Sequence, residues 1–175
     1  KWFNAGQTCI GVDYALVDAA RRDAFVEALR AQVRARFGDL SDASNYTRII
    51  NTAQFDRLQA WLDDARARGA TVLPLIDVDA QRMRTERLLP PTLVLDAPVD
   101  SDVMRNEIFG PILPVRTYAR LDDALAYMGS HDRPLALYPF SNDRATVERI
   151  VDANLAGGVA VNDTLVHFAV DTLPF

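Results

Sequence analysis

Two kinds of apolar pattern alternate along this chain. Short runs such as Tyr14-Ala15-Leu16-Val17 have the length of strands, whereas stripes at three- and four-residue spacing mark amphipathic helices. Asp18 follows the first run and can cap the helix after it, because its carboxylate accepts N–H groups that lack an intrahelical partner. Phe25, Val26, Leu29, Val33 and Phe37 form one stripe of that helix. Arg22, Arg30 and Arg34 fit its solvated side, and Gly38 can end it in the left-handed conformation. A polar connection through Asn45 leads to a second helix from Thr52, with Phe55, Leu58, Leu62 and Ala65 as its stripe and Gly69 as its stop.

From Thr71 onward strands and helices take turns. Strands are predicted over 71–75, 92–95, 112–118, 135–140 and 159–162. Helices are predicted over 102–106, 122–129 and 143–156, the last with Val147, Ile150, Val151 and Leu155 inward. The stretch from Asp77 to Arg87 is expected to be an irregular excursion, and Gly157-Gly158 a helix stop. The alternation predicts an α/β sandwich with a largely parallel sheet. Residues 1–175 show no internal repeat, low-complexity stretch or linker, so a single domain is expected.

Composition narrows the partners. A hydrophobic content of 49% can fill a core, and a net charge of -5 supplies no basic face for nucleic acid or an anionic membrane surface. No apolar run approaches the length of a membrane span. One cysteine cannot form an internal disulfide, which is compatible with a reducing compartment. The chain opens on Lys1-Trp2-Phe3 and closes on Leu173-Pro174-Phe175, so both ends read as cut and the whole as a piece of a longer chain.

The lone cysteine lies in Asn4-Ala5-Gly6-Gln7-Thr8-Cys9. A free cysteine is more often a small buried hydrophobe than a reactive group. Beside a glycine and among small polar residues, it can instead place a thiolate within reach of a substrate. A second segment, Asn106-Glu107-Ile108-Phe109-Gly110-Pro111, has a carboxylate and an aromatic two residues apart before a Gly-Pro turn. The carboxylate can accept both hydroxyl protons of a ribose, and the aromatic can lie against a flat ring. The plainer reading is an exposed carboxylate after a short helix and a buried phenylalanine before a turn.

Together the two segments resemble the aldehyde dehydrogenase superfamily. In that family the first carries the nucleophile and the second grips the nicotinamide ribose. Tyr46-Thr47-Arg48-Ile49-Ile50-Asn51, Arg133-Pro134-Leu135-Ala136-Leu137-Tyr138 and Gly158-Val159-Ala160-Val161-Asn162-Asp163 are similar to its class-3 and coniferyl-aldehyde branch. So is Asp13-Tyr14, where commoner members carry an arginine near position 14. Asn106 stands where the family usually has glutamate. Leu173-Pro174-Phe175 resembles the lead-in to the family's glycine-rich segment.

The resemblance implies a specific chemistry. A free aldehyde cannot release hydride until a nucleophile makes its carbon tetrahedral. Cys9 would add to the carbonyl as a thiolate, giving a thiohemiacetal, and hydride departure would leave a thioester for water to hydrolyse. The Cys9 backbone N–H would be one donor to the oxyanion, whereas Asn4 is not assigned that role. Glu107 would hold the ribose and Phe109 the ring of NAD or NADP. The resemblance further implies a three-layer α/β catalytic domain over residues 1–175, with the nucleotide-binding domain and C-terminal tail absent. It implies an aldehyde substrate, a cytoplasmic location and a homodimer, with 160–170 near the subunit contact unless that stretch fills its own core. A reductive or acyl-transferring relative, or an α/β interaction domain without activity, are the alternatives.

Other polar residues suggest less. His131 in a polar loop is expected to be solvated, and His167, between Val166 and Phe168, to be a packing or interface residue. Gly157-Gly158 lacks the spaced glycines of a dinucleotide fingerprint. Asp63-Asp64 and Asp122-Asp123 are read as helix-surface carboxylates, with no metal site implied.

Overall fold

The computed structural model describes residues 1–173. They divide into two compact units, residues 1–117 and the stretch from Tyr118 onward.

In the first unit the strand β1 (Ala15–Asp18) runs into a single 3-10 turn, Ala19–Arg21, before helix α1 (Arg22–Phe37) begins. The Asp18 carboxylate accepts the Ala20 N–H, so it caps that turn rather than α1 itself. Val26 and Val33 are buried, and Phe25, Leu29 and Phe37 pack against the same core. Gly38 ends the helix at φ +61, a backbone that disfavours any side chain. Helix α2 (Thr52–Ala67) starts on the Asn51 side chain, which accepts the Gln54 N–H, and buries Phe55, Leu58, Leu62 and Ala65. Phe55, Leu58 and Leu62 each contribute about 1.5–3 kcal/mol when fully removed from water.

The sheet of this unit has the order β1, β4 (Ile112–Tyr118), β3 (Thr92–Leu95), β2 (Thr71–Pro74). All four residues of β3 are buried, as a central strand requires. β3 and β4 are parallel, with Thr92 opposite Ile112 and Leu95 opposite Val115. The fold is the expected α/β one with a largely parallel sheet, and β2 is its antiparallel edge, with Thr71 opposite Leu95 of β3. Its edge position suits Pro74, which has no N–H to donate to a further strand. Between β2 and β3 the expected excursion contains a helix, α3 (Ala80–Glu86). Its apolar stripe is too thin to show in the sequence, because none of its residues is buried. Asp79 capping Arg82 and the Arg82–Glu86 ion pair hold it instead. A short α4 (Asp102–Arg105) precedes β4.

The second unit contains α5 (Leu121–Gly129), β5 (Ala136–Leu137), α6 (Arg144–Ala153), β6 (Gly158–Val159) and a 3-10 turn over Val166–Ala169. β5 and β6 are parallel. Both are shorter than predicted, although bonds from Gly157 N–H to Pro134 and from Asn162 N–H to Pro139 extend the pairing at each end. Pro134 and Pro139 have no N–H, so the ladder cannot be reciprocal there. Helix α6 ends before Leu155, which is exposed rather than inward. The Asn154 side chain donates to the Ile150 carbonyl and turns the chain out of the helix.

Pro174 and Phe175, the end of the expected lead-in to a glycine-rich segment, lie outside the described residues. No helix among the described residues is long and apolar enough to cross a membrane.

Candidate active site

The cysteine segment is a tight, strained turn. Asn4, Ala5 and Gly6 have φ of 49°, 51° and 73° in succession. Non-glycine residues in that region cost on the order of 1–3 kcal/mol each and persist only where the surroundings fix them. The surroundings do so here. Asn4 Nδ2 donates to the Gln7 carbonyl at 3.0 Å, and Ala5 is fully buried. The Gln7 amide reaches a different segment: Nε2 donates to the Arg48 carbonyl at 3.0 Å, and Oε1 accepts the Ile50 N–H at 2.9 Å. A second turn, closed by Gly11 N–H on the Thr8 carbonyl at 2.9 Å, carries Cys9. Cys9 is free and exposed, while its neighbour Ile10 is buried. The thiol is therefore not a core hydrophobe.

The loop after α4 presents the other two candidates. Asn106 Nδ2 bonds the Asp102 carbonyl and closes the helix. Glu107 is exposed, Ile108 is fully buried, and Phe109 is 43% exposed at φ +48. The buried aromatic of the plainer reading is thus absent; Ile108 is the anchor, and Phe109 stands in the open.

These two loops are held directly against each other. Trp2 Nε1 donates to the Pro111 carbonyl at 2.9 Å. Asp13 Oδ1 accepts the Ile108 N–H at 3.0 Å. Between these bonds the backbones meet: a Cβ on Gly6 would stand 2.1 Å from the Gly110 carbonyl oxygen. From the other side, a Cβ on Gly110 would stand 2.6 Å from Leu58 Cδ1 of α2. Arg57, the residue before Leu58, donates from Nη2 to the Ile108 carbonyl at 2.8 Å.

Charge gathers around the same loop. Burial raises the Asp13 carboxyl above its ordinary range, opposed by the Ile108 N–H and by Lys1. Burial draws the Lys1 ammonium down to about 8, opposed by the negative charges of Asp13 and Glu107. Burial also lowers the Arg57 guanidinium, again opposed by Glu107. Glu107 therefore sits in the field of two cations, Lys1 and Arg57.

The site offers an accessible thiol on a braced turn, two carboxylate oxygens free to accept hydroxyl protons, and an aromatic face. The supports Trp2, Asp13 and Arg57 are not legible in the sequence. Arg57 reads as part of the solvated side of α2, and only its four-residue spacing from Trp61 hints at a stacked pair. A depression of about 400 Å³ lined by Arg34, Gly38, Asp39, Ile76 and Asp77 shares no residue with this site.

Both histidines belong to the second unit. His131 is exposed beside Tyr127, and His167 packs against Gly158 and the Tyr138 ring. Asp63 and Asp64 pair with Arg66 and Arg68, and Asp122 with Arg120 and Arg149. Among the described residues no group of three or more His, Cys, Asp or Glu is placed to hold a metal ion.

The pattern of the aldehyde dehydrogenase family matches residues 1–175. A probable coniferyl aldehyde dehydrogenase of Pseudomonas aeruginosa is 49% identical over 100% of this chain and 36% of its own length. A coniferyl aldehyde dehydrogenase of a Pseudomonas species is 40% identical over 100% of this chain and 37% of its own. The mouse aldehyde dehydrogenase family 3 member A2 is 37% identical over 100% of this chain and 34% of its own. Among solved structures, the substrate-bound state of Staphylococcus aureus AldH superposes with a TM-score of 0.90 at 38% identity, over 100% of this chain and 37% of that one. A betaine aldehyde dehydrogenase of the same organism in complex with NAD+ gives 0.79 at 25% identity, over 93% and 33%. This chain thus spans little more than a third of such relatives, as the 36% coverage of the first shows. With the family pattern matched from end to end, and relatives up to 49% identical along the whole of it, this chain belongs to the aldehyde dehydrogenase family.

Proposed function

We propose that this chain is the thiol-bearing catalytic part of an NAD(P)-dependent aldehyde dehydrogenase that oxidises an aldehyde to a carboxylic acid. One observation carries the reading: the exposed Cys9 thiol lies on a turn braced against the loop that presents Glu107 and Phe109. In this reading Cys9 attacks the aldehyde carbon as a thiolate and forms a thiohemiacetal. Its own backbone N–H is one donor to the resulting oxyanion. A bound nicotinamide supplies the hydride acceptor. The thioester left on Cys9 is released by water, and its proton-accepting partner is assigned to the remainder of the polypeptide.

The residues present fit that cofactor. Glu107 has two exposed acceptor oxygens for the hydroxyls of a ribose, and Phe109 an exposed ring beside it. The adenine half, and with it the choice of NAD or NADP, is assigned to a nucleotide-binding domain outside this chain; relatives about three times as long leave room for one. Coniferyl aldehyde, or another aromatic or aliphatic aldehyde, is the proposed substrate, supported by the names of the coniferyl relatives. A reducing compartment such as the cytoplasm suits a free exposed thiol.

Stopped-flow mixing of the full-length protein with aldehyde and NAD+ or NADP+ tests the reading. A burst of reduced cofactor is expected. Its absence with aromatic and aliphatic aldehydes alike would leave a silent α/β domain. A burst followed by turnover only on adding a thiol acceptor would make the protein an acyl-transferring relative.

A further inference from the structure

We infer that Arg57 of α2 is a positioning residue for the Glu107–Phe109 loop, acting through the Ile108 carbonyl; the inference rests on the role proposed above for Glu107. The peptide units on either side of Ile108 are held from two directions. Asp13 takes the N–H at 3.0 Å, and Arg57 Nη2 donates to the carbonyl at 2.8 Å. The Ile108 side chain is fully buried, so the residue between the two exposed candidates is fixed at three points.

Arg57 is itself immobilised. Its Nε donates to Gln54 Oε1 at 2.7 Å, and its guanidinium lies 4.2 Å from the centre of the Trp61 ring. A stacked, hydrogen-bonded guanidinium keeps its fork in one orientation, which a lysine on a flexible stem does not. The next residue, Leu58, packs against Gly110 so closely that a Cβ there would stand 2.6 Å from Leu58 Cδ1 and force that side chain to move. Consecutive residues of one rigid helix therefore seat Ile108 and Gly110, with Phe109 between them. The negative charge of Glu107 also acts on the Arg57 guanidinium, opposing the effect of its burial. Without Arg57 the Ile108 carbonyl, on a buried residue, loses its side-chain donor, and the loop, with one of its three anchors gone, is expected to shift by up to about 1 Å, the scale of misplacement that slows chemistry.

Such a shift acts on transfer geometry rather than on the thiol. Arg57→Met in the full-length protein is expected to slow hydride transfer roughly ten- to hundredfold, the scale on which small misplacements act. A primary deuterium isotope effect on turnover should appear or grow. The KM for aldehyde and the alkylation rate of Cys9 should change less than threefold. Arg57→Lys, with one donor and the charge retained, should recover part of the rate. Because Arg57 acts through the loop, Arg57→Met combined with Glu107→Gln should be little slower than Glu107→Gln alone.

The outcomes separate cleanly. If Glu107→Gln slows hydride transfer and Arg57→Met leaves it unchanged, the positioning role is overturned while the reading of the site stands. If Glu107→Gln itself has no effect, the site reading fails and this inference with it. Fully additive rates in the double variant would make Arg57 a general support of the fold. Should Arg57→Met not fold, Trp61→Leu, which removes the stacking partner and keeps the guanidinium, should produce the same isotope effect in milder form. A wild-type isotope effect there overturns the inference.

Discussion

Gly6 and Gly110 meet backbone to backbone, so closely that a Cβ on Gly6 would stand 2.1 Å from the Gly110 carbonyl oxygen. The contact lies between the thiol-bearing turn and the loop of Glu107 and Phe109, and Gly6 also has a φ of +73°. Gly6→Ala therefore meets two obstacles, a steric overlap and a left-handed backbone. Together they should cost roughly 2–5 kcal/mol of stability, summing typical overpacking and left-handed penalties. Urea unfolding of the full-length variant measures this, and a midpoint equal to wild type would show that the two loops are free to separate.

Cys9→Ala should abolish both the burst of reduced cofactor and steady turnover while leaving cofactor affinity nearly unchanged. The exposed thiol should react with iodoacetamide in the native state, and aldehyde or cofactor should slow that reaction. Residual dehydrogenase activity above a few per cent would remove Cys9 from the chemistry. Alkylation that needs denaturant would contradict its exposure.

Glu107→Gln keeps one carbonyl oxygen as acceptor and loses the charge. Hydride transfer should slow by about 1.5–3 kcal/mol, the range for a hydrogen bond to a charged group, with a smaller effect on cofactor affinity. Rates with deuterated aldehyde report the step directly. An unchanged hydride step would exclude Glu107 from the site.

How much of this could be read from the chain differs between the core and the loops. The stripes of α1 and α2 are visible because burial repeats with the helical period; Phe55, Leu58, Leu62 and Ala65 are all buried as their spacing requires. Helix α3 is invisible for the opposite reason, since capping and ion pairs rather than an apolar stripe hold it. β2 reverses direction without a periodic signal, because alternation is the same for parallel and antiparallel pairing. The motif residues Cys9, Glu107 and Phe109 stand out by type. Their supports do not: Asp13 and Arg57 are polar residues whose partner is a backbone group far away in sequence, at Ile108. Sequence spacing carries no trace of such a bond.

Asp13 has the sign opposite to that of an ion-paired surface carboxylate. Burial raises its pKa above 3.8, so just above that value the folded chain keeps a proton that the unfolded chain has released. That contribution to stability is fully present below the unfolded pKa and is lost as pH rises through the folded one. Asp13→Asn keeps an acceptor for the Ile108 N–H and removes the buried charge. Relative to wild type, the variant should therefore gain stability as pH rises from about 4 through the raised pKa of Asp13, below the range near 8 in which Lys1 loses its charge. Urea midpoints across that interval give the trend, and a relative loss with rising pH would mean that pairing with Lys1 outweighs burial.

Assembly is expected to run through the second unit. Of the stretch 160–170 only Ala160 is buried; Val161, Val166, Phe168 and Val170 are 45%, 51%, 65% and 45% exposed. The alternative that this segment fills its own unit's core therefore does not describe it. Large side chains left in water at this density favour association, and the short β5–β6 pair leaves strand edges that invite further pairing. A homodimer of the full-length protein is the predicted state, and aggregation the predicted fate of this chain expressed alone. Sedimentation at micromolar concentration should give the dimer mass. Phe168→Asp, which places a charge among these side chains, should shift the protein toward monomer while sparing the Cys9 turn in the first unit. A monomer for wild type would refute the dimer. A dimer indifferent to Phe168→Asp would assign the exposed segment to contacts with the rest of its own polypeptide.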